Sequence, residues 1–163
     1  MLPAARETVA SKVKDDPYPG NTARNVGFAL LVVGKFGSKD DLPLLETRAA
    51  SDVRCAVVLH DPPPKAGEPV LRLIRSPIEG QDTTTQLRDV SAAMRLHLLG
   101  QNPDDFGFYW RWPNDPDAGK PIRPADRFEL YSVGFMRDAD RATAHKKAKV
   151  LLDKQEKQDE PKK

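Results

Sequence analysis

Residues 83–100, TTTQLRDVSAAMRLHLLG, carry the clearest helical pattern in the chain. Apolar residues recur there at spacings of three and four, at Leu87, Val90, Met94 and Leu98. This periodicity is typical of an amphipathic α-helix that turns one face toward a core. Thr85 stands where an N-cap is expected, and Gly100 stands where a helix commonly ends. The sequence therefore predicts a helix over 86–99 with Met94 and Leu98 in the core.

Further helices are predicted on the N-terminal side. A helix to about Lys14 is indicated by four apolar residues: Leu2, Ala5, Val9 and Val13. After a segment rich in proline, which breaks helices, the run 23–36 is apolar on most of its circumference, as buried helices are. Gly37 is expected to end that helix in the left-handed conformation. Asp40 is expected to cap a short helix near 41–50.

The period of the apolar residues changes to two after residue 52. Alternate residues are apolar in the first part of this region: Val53, Cys55, Val57 and Leu59. A second β-leaning run, VLRLIR, occupies 70–75, and the polar segment DPPPKAGEP separates the two runs. This pattern predicts a β-hairpin over 53–75. A buried helix remains the alternative, because short apolar runs fit both structures.

The C-terminal third begins with Asn102 and a Pro-Asp-Asp sequence, which are typical of a helix start. An aromatic and then proline-rich loop follows, and a short helix is predicted at 124–135. The last helix is expected to open at Asp138 and to run through Ala142, Ala148, Leu151 and Leu152. We therefore predict a single domain over 1–152 and a disordered, charged tail over 153–163.

Composition limits the classes of function. A chain of 163 residues is long enough for one domain with a core. The net charge of +2 is too small to argue for nucleic acid or an anionic membrane. A single cysteine, Cys55, leaves no internal disulfide and no cysteine-based metal site. Neither a transmembrane run nor a signal-peptide pattern is visible, so the expected location is the cytoplasm and no membrane partner is expected.

Catalytic and metal chemistry have little support in the residue spacing. The three histidines are each more than 35 residues apart: His60, His97 and His145. Cys55 and His60 lie five apart on a predicted strand and would face opposite sides, so Cys55 is expected in the core. Paired carboxylates stand at turns or helix starts, where aspartate caps amides: Asp15–Asp16, Asp40–Asp41 and Asp104–Asp105. We therefore expect no enzyme, no metal and no cofactor.

Two stretches resemble HEAT-type helical repeats. VVGKFGSKDDLPLLE (32–46) is similar to a repeat junction, in which a buried helix ends in glycine and a second helix opens after an acidic turn. TTTQLRDVSAAMRLHLLGQNPDDFGF (83–108) resembles the C-terminal helical segments of large bacterial multidomain proteins. The resemblance implies a short stack of antiparallel HEAT-like helices, with the β-hairpin as an insertion. It also implies a non-catalytic module and supplies no catalytic residues.

The leading functional hypothesis is a helical-repeat scaffold or protein–protein interaction module. Its partner, or a second copy, is expected at the N-terminal edge, because the helix at 23–36 is apolar nearly all round. A possible partner-binding cluster is Tyr109, Trp110, Arg111 and Trp112, where aromatic rings flank a guanidinium. A nucleic-acid-binding module that uses this cluster and the basic C-terminal tail is the alternative. A small hydrolase with dispersed carboxylates is the third hypothesis.

Overall fold

The computed structural model describes residues 1–13, 21–58, 82–109 and 126–159. They form five α-helices and one two-stranded antiparallel sheet, which confirms the prediction of a mainly α fold with a small β insertion. In chain order the elements are α1 (Leu2–Ala10), α2 (Asn21–Phe36), α3 (Leu42–Glu46), β1 (Arg54–Val58), β2 (Thr83–Gln86), α4 (Leu87–Leu98) and α5 (Asp138–Asp159). Short 3-10 helices lie at Lys39–Asp41, Pro103–Phe106, Asp126–Phe128 and Leu130–Ser132.

Helix α4 is the centre of the fold and packs against α2, α3 and α5. It is buried on more than the single face that its periodicity predicts, with Met94 and Leu96 fully enclosed. Small residues at Ser91, Ala92 and Ala93 are also buried and let neighbouring elements approach from several sides. The prediction for Met94 is confirmed. Leu98 lies only at the margin of the core, partly buried.

Helix α2 approaches α4 closely at Gly34. A Cβ atom added to Gly34 would lie 2.2 Å from the sulfur of Met94. A methyl group at this position therefore requires Met94 or the helix to move, which is the usual cost of overpacking a core. Glycine costs helix stability relative to alanine, so its presence here is explained by the contact with Met94.

We expect Gly34→Ala to lower the free energy of unfolding by about 1–3 kcal/mol, as overpacked cores do. In a Met94→Ala background the same change is expected to cost less, because the sulfur and Cγ are gone and only the Cβ of residue 94, 2.8 Å from the new methyl, still crowds it, while alanine favours the helix by roughly 1 kcal/mol. Urea unfolding of the four variants measures both effects. Destabilisation of equal size in both backgrounds would show that Met94 is not the obstacle.

The two glycines that follow α2 and α4 act differently. Gly100 has φ of 76°, and the N–H groups of Gly100 and Gln101 donate to the carbonyls of His97 and Leu96, both at 2.9 Å. This is a Schellman motif and confirms that Gly100 closes α4. Gly37 is not left-handed, so that prediction is wrong. Its lack of a side chain is needed because a Cβ would lie 2.5 Å from a carboxylate oxygen of Asp41.

The turn after α2 is capped by Ser38 and not by Asp40 as predicted. The Ser38 side chain accepts a hydrogen bond from the Asp40 N–H at 3.2 Å, and Asp41 accepts one from the Ser38 N–H at 3.0 Å. This reciprocal arrangement is a capping box. The helix predicted near 41–50 is α3, whose N-cap position is Asp41, without a side-chain cap hydrogen bond. The prediction of Asp40 as its cap is therefore wrong.

Helix α1 ends at Ala10, earlier than the predicted Lys14. The guanidinium of Arg48 donates to the carbonyl of Val9 at 2.6 and 2.9 Å and also to the carbonyl of Ser11. Carbonyls at a helix C-terminus have no partner within the helix, and Arg48 supplies one from the segment after α3. The helix buries Ala5 and Val9 as the spacing predicted.

The sheet confirms the first predicted strand and gives it a different partner. β1 pairs with β2 in antiparallel register, with Ala56 opposite Thr85 and Val57 opposite Thr84. The predicted second strand at 70–75 lies outside the described residues. Thr85 is therefore a strand residue and not the N-cap of α4, which is Gln86. The β-branched side chains of three consecutive threonines favour a strand at this place.

The segment before α5 forms two 3-10 turns in place of the predicted short helix at 124–135. Helix α5 opens at Asp138 as predicted, but it continues to Asp159 and so passes through most of the predicted tail. Lys, Gln and Glu are good helix formers, and Lys149 and Asp153 add a pair one turn apart, at 3.5 Å. Residues 160–163 lie outside the described part of the chain.

Candidate interaction surface and buried ionic network

Tyr109, the described member of the predicted aromatic cluster, is inside the protein. Its ring is buried, and its hydroxyl donates to the carbonyl of Arg127 at 3.1 Å. Burial raises the pKa of the Tyr109 phenol above its ordinary value. The structure therefore gives Tyr109 a structural role, with its ring turned inward and not toward the surface. Trp110, Arg111 and Trp112 lie outside the described residues.

The described pairs of aspartates take part in local structure, through hydrogen bonds and capped turns. Asp41 accepts two hydrogen bonds from Arg6, at 2.7 and 3.0 Å, and this contact holds the pKa of the Asp41 carboxyl below its usual value. Asn102 caps the turn that contains Asp104 and Asp105, as predicted, since its side chain accepts from the Asp104 N–H at 3.4 Å. Asp15 and Asp16 lie outside the described residues.

Two residues with nucleophilic side chains are enclosed in the core. Cys55 is fully buried, as predicted, and burial raises the pKa of its thiol. The Ser91 hydroxyl donates to the carbonyl of Leu45 at 2.7 Å, which joins α4 to α3. Neither group opens to solvent, so neither is placed to attack a substrate.

An ionic network centred on Asp89 lies between α4 and α5, and it was not predicted from the sequence. The Asp89 carboxylate is fully buried. One oxygen accepts from the Gln86 N–H at 2.8 Å and from Nε of Arg141 at 3.1 Å. The other oxygen lies 2.8 Å from Nε2 of His145. A single buried carboxylate thus holds the start of α4 and two residues of α5.

Arg141 extends this network to the sheet and to the start of its own helix. Its Nη2 donates to the carbonyl and the hydroxyl of Thr84, at 2.9 and 2.6 Å, and its Nη1 pairs with Asp138. The guanidinium also lies over the ring of Phe135, with 5.3 Å to the centroid. A buried ion pair is tolerable only when its remaining hydrogen-bonding groups are satisfied, and here β2 and α5 supply the partners.

A signal for Arg141 does exist in the sequence. The buried residues of α5 recur at three- and four-residue spacings: Arg141, Ala144, Ala148 and Leu152. Arg141 thus stands in register with an apolar stripe, where an arginine needs a buried partner. The predicted residue Ala142 is one position out of phase and is exposed.

The chemistry available to this network is limited. Asp89 orients His145, and an oriented imidazole is one part of a nucleophilic site. The other described neighbours of the His145 ring include the rings of Phe108 and Phe135, with centroids at 5.1 and 6.5 Å. In the described part of the chain, no group of three or more His, Cys, Asp or Glu side chains is placed to hold a metal ion.

An apolar stripe runs along the outside of α2. Phe28 and Phe36 are 44% and 54% exposed, and Val32 lies half-buried between them. Lys35 is exposed on the same side. We call Phe28, Val32, Lys35 and Phe36 the α2 outer stripe. This helix was predicted to be buried all round, and the exposure of its two phenylalanines corrects that prediction, because neighbours such as α1 and α4 cover only part of its circumference.

The ring of Phe128 also lies beside Lys35 and extends the surface formed by the α2 outer stripe. The ammonium group of Lys35 lies 5.3 Å from the ring centroid of Phe36 and 5.4 Å from that of Phe128. Phe128 in turn makes an edge-to-face contact with His97 at 5.0 Å. His97 is partly buried, and this burial lowers the pKa of its imidazole.

The described residues include no helix that is both long enough and apolar enough to span a membrane. The resemblance to HEAT-type repeats rests on the quoted sequence stretches alone. Comparison of the chain with protein-family models, with curated proteins and with solved structures found no match.

Proposed function

We propose that this protein is a non-catalytic protein–protein interaction module of HEAT-like helical architecture. Its α2 outer stripe is the docking surface, and the partner is an acidic amphipathic helix. The observation that carries the proposal is the exposure of Phe28 and Phe36 on the same side of one helix, which otherwise buries Val26, Leu30, Leu31 and Val33. Exposed apolar residues that are contiguous mark interaction sites more often than isolated ones do.

The spacing of the stripe supports a helical partner. Phe28, Val32 and Phe36 stand four residues apart, so they extend over about 12 Å of helix at a rise of 1.5 Å per residue. Two turns of an opposing helix, with anchors at the first, fourth or fifth, and eighth positions, match that length. Recognition of an amphipathic helix by such anchors is a common binding mode.

The charge of α2 supports an acidic partner over a second copy of this chain. Arg24 and Lys35 are the charged residues of α2, and both are positive. An incoming helix that carries glutamate beside its apolar anchors would meet Lys35 at the C-terminal end of the stripe. A second copy of α2 would bring only positive charges, and complementary charges are what favour one partner over another.

The acidic and thiol side chains that could take part in catalysis have structural roles, which supports the non-catalytic part of the proposal. Asp89 pairs with Arg141 in the interior, and Cys55 is enclosed. Asp41 accepts from the Ser38 N–H and binds Arg6, and Asp105 accepts from the side-chain amide of Asn102. The nucleic-acid alternative loses Tyr109, which packs inward. A strong salt dependence of binding to DNA or RNA would revive that alternative.

The test uses two designed helical peptides with the same apolar face, one flanked by glutamate and the other by lysine. We expect the full chain to bind the glutamate peptide at least ten times more tightly in fluorescence anisotropy. Phe28→Ser combined with Phe36→Ser is expected to weaken this binding about tenfold or more, as loss of central aromatic anchors does. Lys35→Glu is expected to reverse the preference between the peptides.

Val150→Ser is the matched control, since Val150 is 56% exposed on α5. It is expected to leave peptide binding unchanged. Equal binding of both peptides would contradict the assignment of this surface. The same follows if Val150→Ser weakens binding as much as the double phenylalanine variant does. Light scattering of the protein alone completes the test. A dimer that dissociates when Phe28 and Phe36 are replaced would show that the occupant is a second copy.

A further inference from the structure

A cleft of about 310 Å³ lies among α3, α4 and α5, on residues separate from the α2 outer stripe. We propose that this cleft binds a small organic acid with a compact apolar body, of the size of benzoate. The inference goes beyond the proposed function and stands on the shape and charge of the cleft. A volume near 300 Å³ is at the lower end of ligand pockets in proteins.

The inner wall of the cleft is apolar and made of small side chains. Its apolar residues are Ala49, Ala92, Ala148 and Leu152. Three alanines, one in the turn after α3, one on α4 and one on α5, create the space, because longer side chains at these positions would fill it. Such a wall suits a flat ring or a short alkyl chain, whose burial is favourable in proportion to the apolar area removed from water.

The polar part of the lining carries an excess of positive charge. Arg88, Arg95 and Lys149 provide three cations, while Glu46 and Asp153 provide two carboxylates. A guest with one negative charge would balance this lining. The class of ligand is therefore a monoanion, and a carboxylate fits the planar guanidinium groups better than a spherical anion does.

One cation is fixed in the wall and another stands at the rim. The Arg95 side chain is 7% exposed and donates to Glu46 at 2.6 Å. Lys149 pairs with Asp153 at 3.5 Å, and both side chains are largely in solvent. Exposed pairs of this kind contribute little, so the Lys149 ammonium can turn toward a carboxylate in the cleft without a large loss.

His145 adds a polar group whose orientation is set from behind. Its ring lines the cleft, and its Nε2 is held at 2.8 Å by the buried carboxylate of Asp89. A side chain that is already immobilised loses little further entropy when a ligand arrives. The Asp89 network thus supports one wall of the cleft as well as the contact between α4 and α5.

The experiment is a titration of the full chain with benzoate, benzyl alcohol and benzylamine, followed by NMR chemical shifts. These probes share the ring and differ in charge. We expect benzoate to bind at least tenfold more tightly than benzyl alcohol, and benzylamine to bind most weakly. Equal binding of benzoate and benzyl alcohol, or no binding of benzoate, would overturn the proposal.

Two pairs of variants locate the site. Ala49→Leu is expected to weaken benzoate binding tenfold or more by filling the cleft, whereas Ala50→Leu, at the exposed neighbouring position, is expected to leave it unchanged. Lys149→Gln is expected to weaken it about twofold to fivefold, in keeping with one exposed charge, and Lys147→Gln is the control. Ala49 is only partly buried, and the lysine pair is exposed, so the variants are expected to fold. If Ala49→Leu and Ala50→Leu weakened benzoate binding equally, and the two lysine variants did so too, the anion would bind elsewhere and the proposal would be overturned.

Discussion

Replacing Asp89 with alanine is expected to lower the free energy of unfolding by about 3–5 kcal/mol, the usual cost of breaking a buried ion pair. The reason is the state of the partner left behind. Arg141 remains positively charged at any accessible pH, and its side chain is 4% exposed. Without the carboxylate, a buried guanidinium keeps the partners supplied by Thr84 and Asp138 and loses its buried counter-charge.

The double variant Asp89→Leu with Arg141→Met separates the ion pair from packing. Replacement of both partners by apolar residues is often neutral or stabilising, so the double variant is expected to be more stable than Asp89→Ala. Asp153→Ala is the control for loss of an acid at the surface, with an expected change within about 0.5 kcal/mol. Urea denaturation measures all three. A loss below about 1 kcal/mol for Asp89→Ala would mean that water reaches Arg141 and that the network is not buried.

Sequence reasoning could not find this network because its members have local explanations. Asp89 stands in the first turn of α4, where an acidic residue is expected for capping, and it does accept from the Gln86 N–H. Nothing in the residues next to Asp89 indicates that it has a second partner, Arg141, 52 positions later. Only the register of Arg141 within an apolar stripe gave a signal, and it indicates a buried arginine without identifying the acid that it meets.

The two central helices show what periodicity can and cannot predict. The spacing of Leu87, Val90 and Met94 correctly gave the existence and phase of α4. The number of elements that pack around each helix was not predictable, because an apolar residue is equally compatible with a core and with a docking surface. For this reason α2, with the more apolar sequence, has two exposed phenylalanines, while α4 is the helix that is surrounded.

The sheet shows how one residue type supports two predictions. Threonine is a good N-cap and also a good strand residue. Thr85, the last of three consecutive threonines, was predicted to cap the helix, whereas the β-branched side chains of all three favour the extended strand that pairs with β1. The burial of Thr83 and Thr85 follows from strand alternation, with the intervening Thr84 half-buried. A helix cap requires only one such residue, so the run of three threonines was the signal in the sequence for a strand.

Phe108 is the second residue whose loss is expected to be severe. Its ring is fully buried. The ring makes edge-to-face contacts with Phe135 at 5.8 Å and with His145 at 5.1 Å. The segment after α4 thus contributes the aromatic group that fills the space between the Thr84–Phe135 bridge and α5.

Phe108→Ala is expected to destabilise the protein by about 3–5 kcal/mol, because it removes a buried ring and leaves a cavity. Phe36→Ala is the matched control, since that ring is 54% exposed and its loss is expected to cost less than about 1 kcal/mol. Urea denaturation of the two variants compares the same chemical change at a buried and an exposed site. The combined Phe108→Ala and Asp89→Ala variant is expected to lose less than the sum of the single losses, since both residues contact His145. Full additivity would show that the aromatic contact and the ionic network stabilise α5 independently, and equal losses at positions 36 and 108 would contradict the placement of Phe108 in the core.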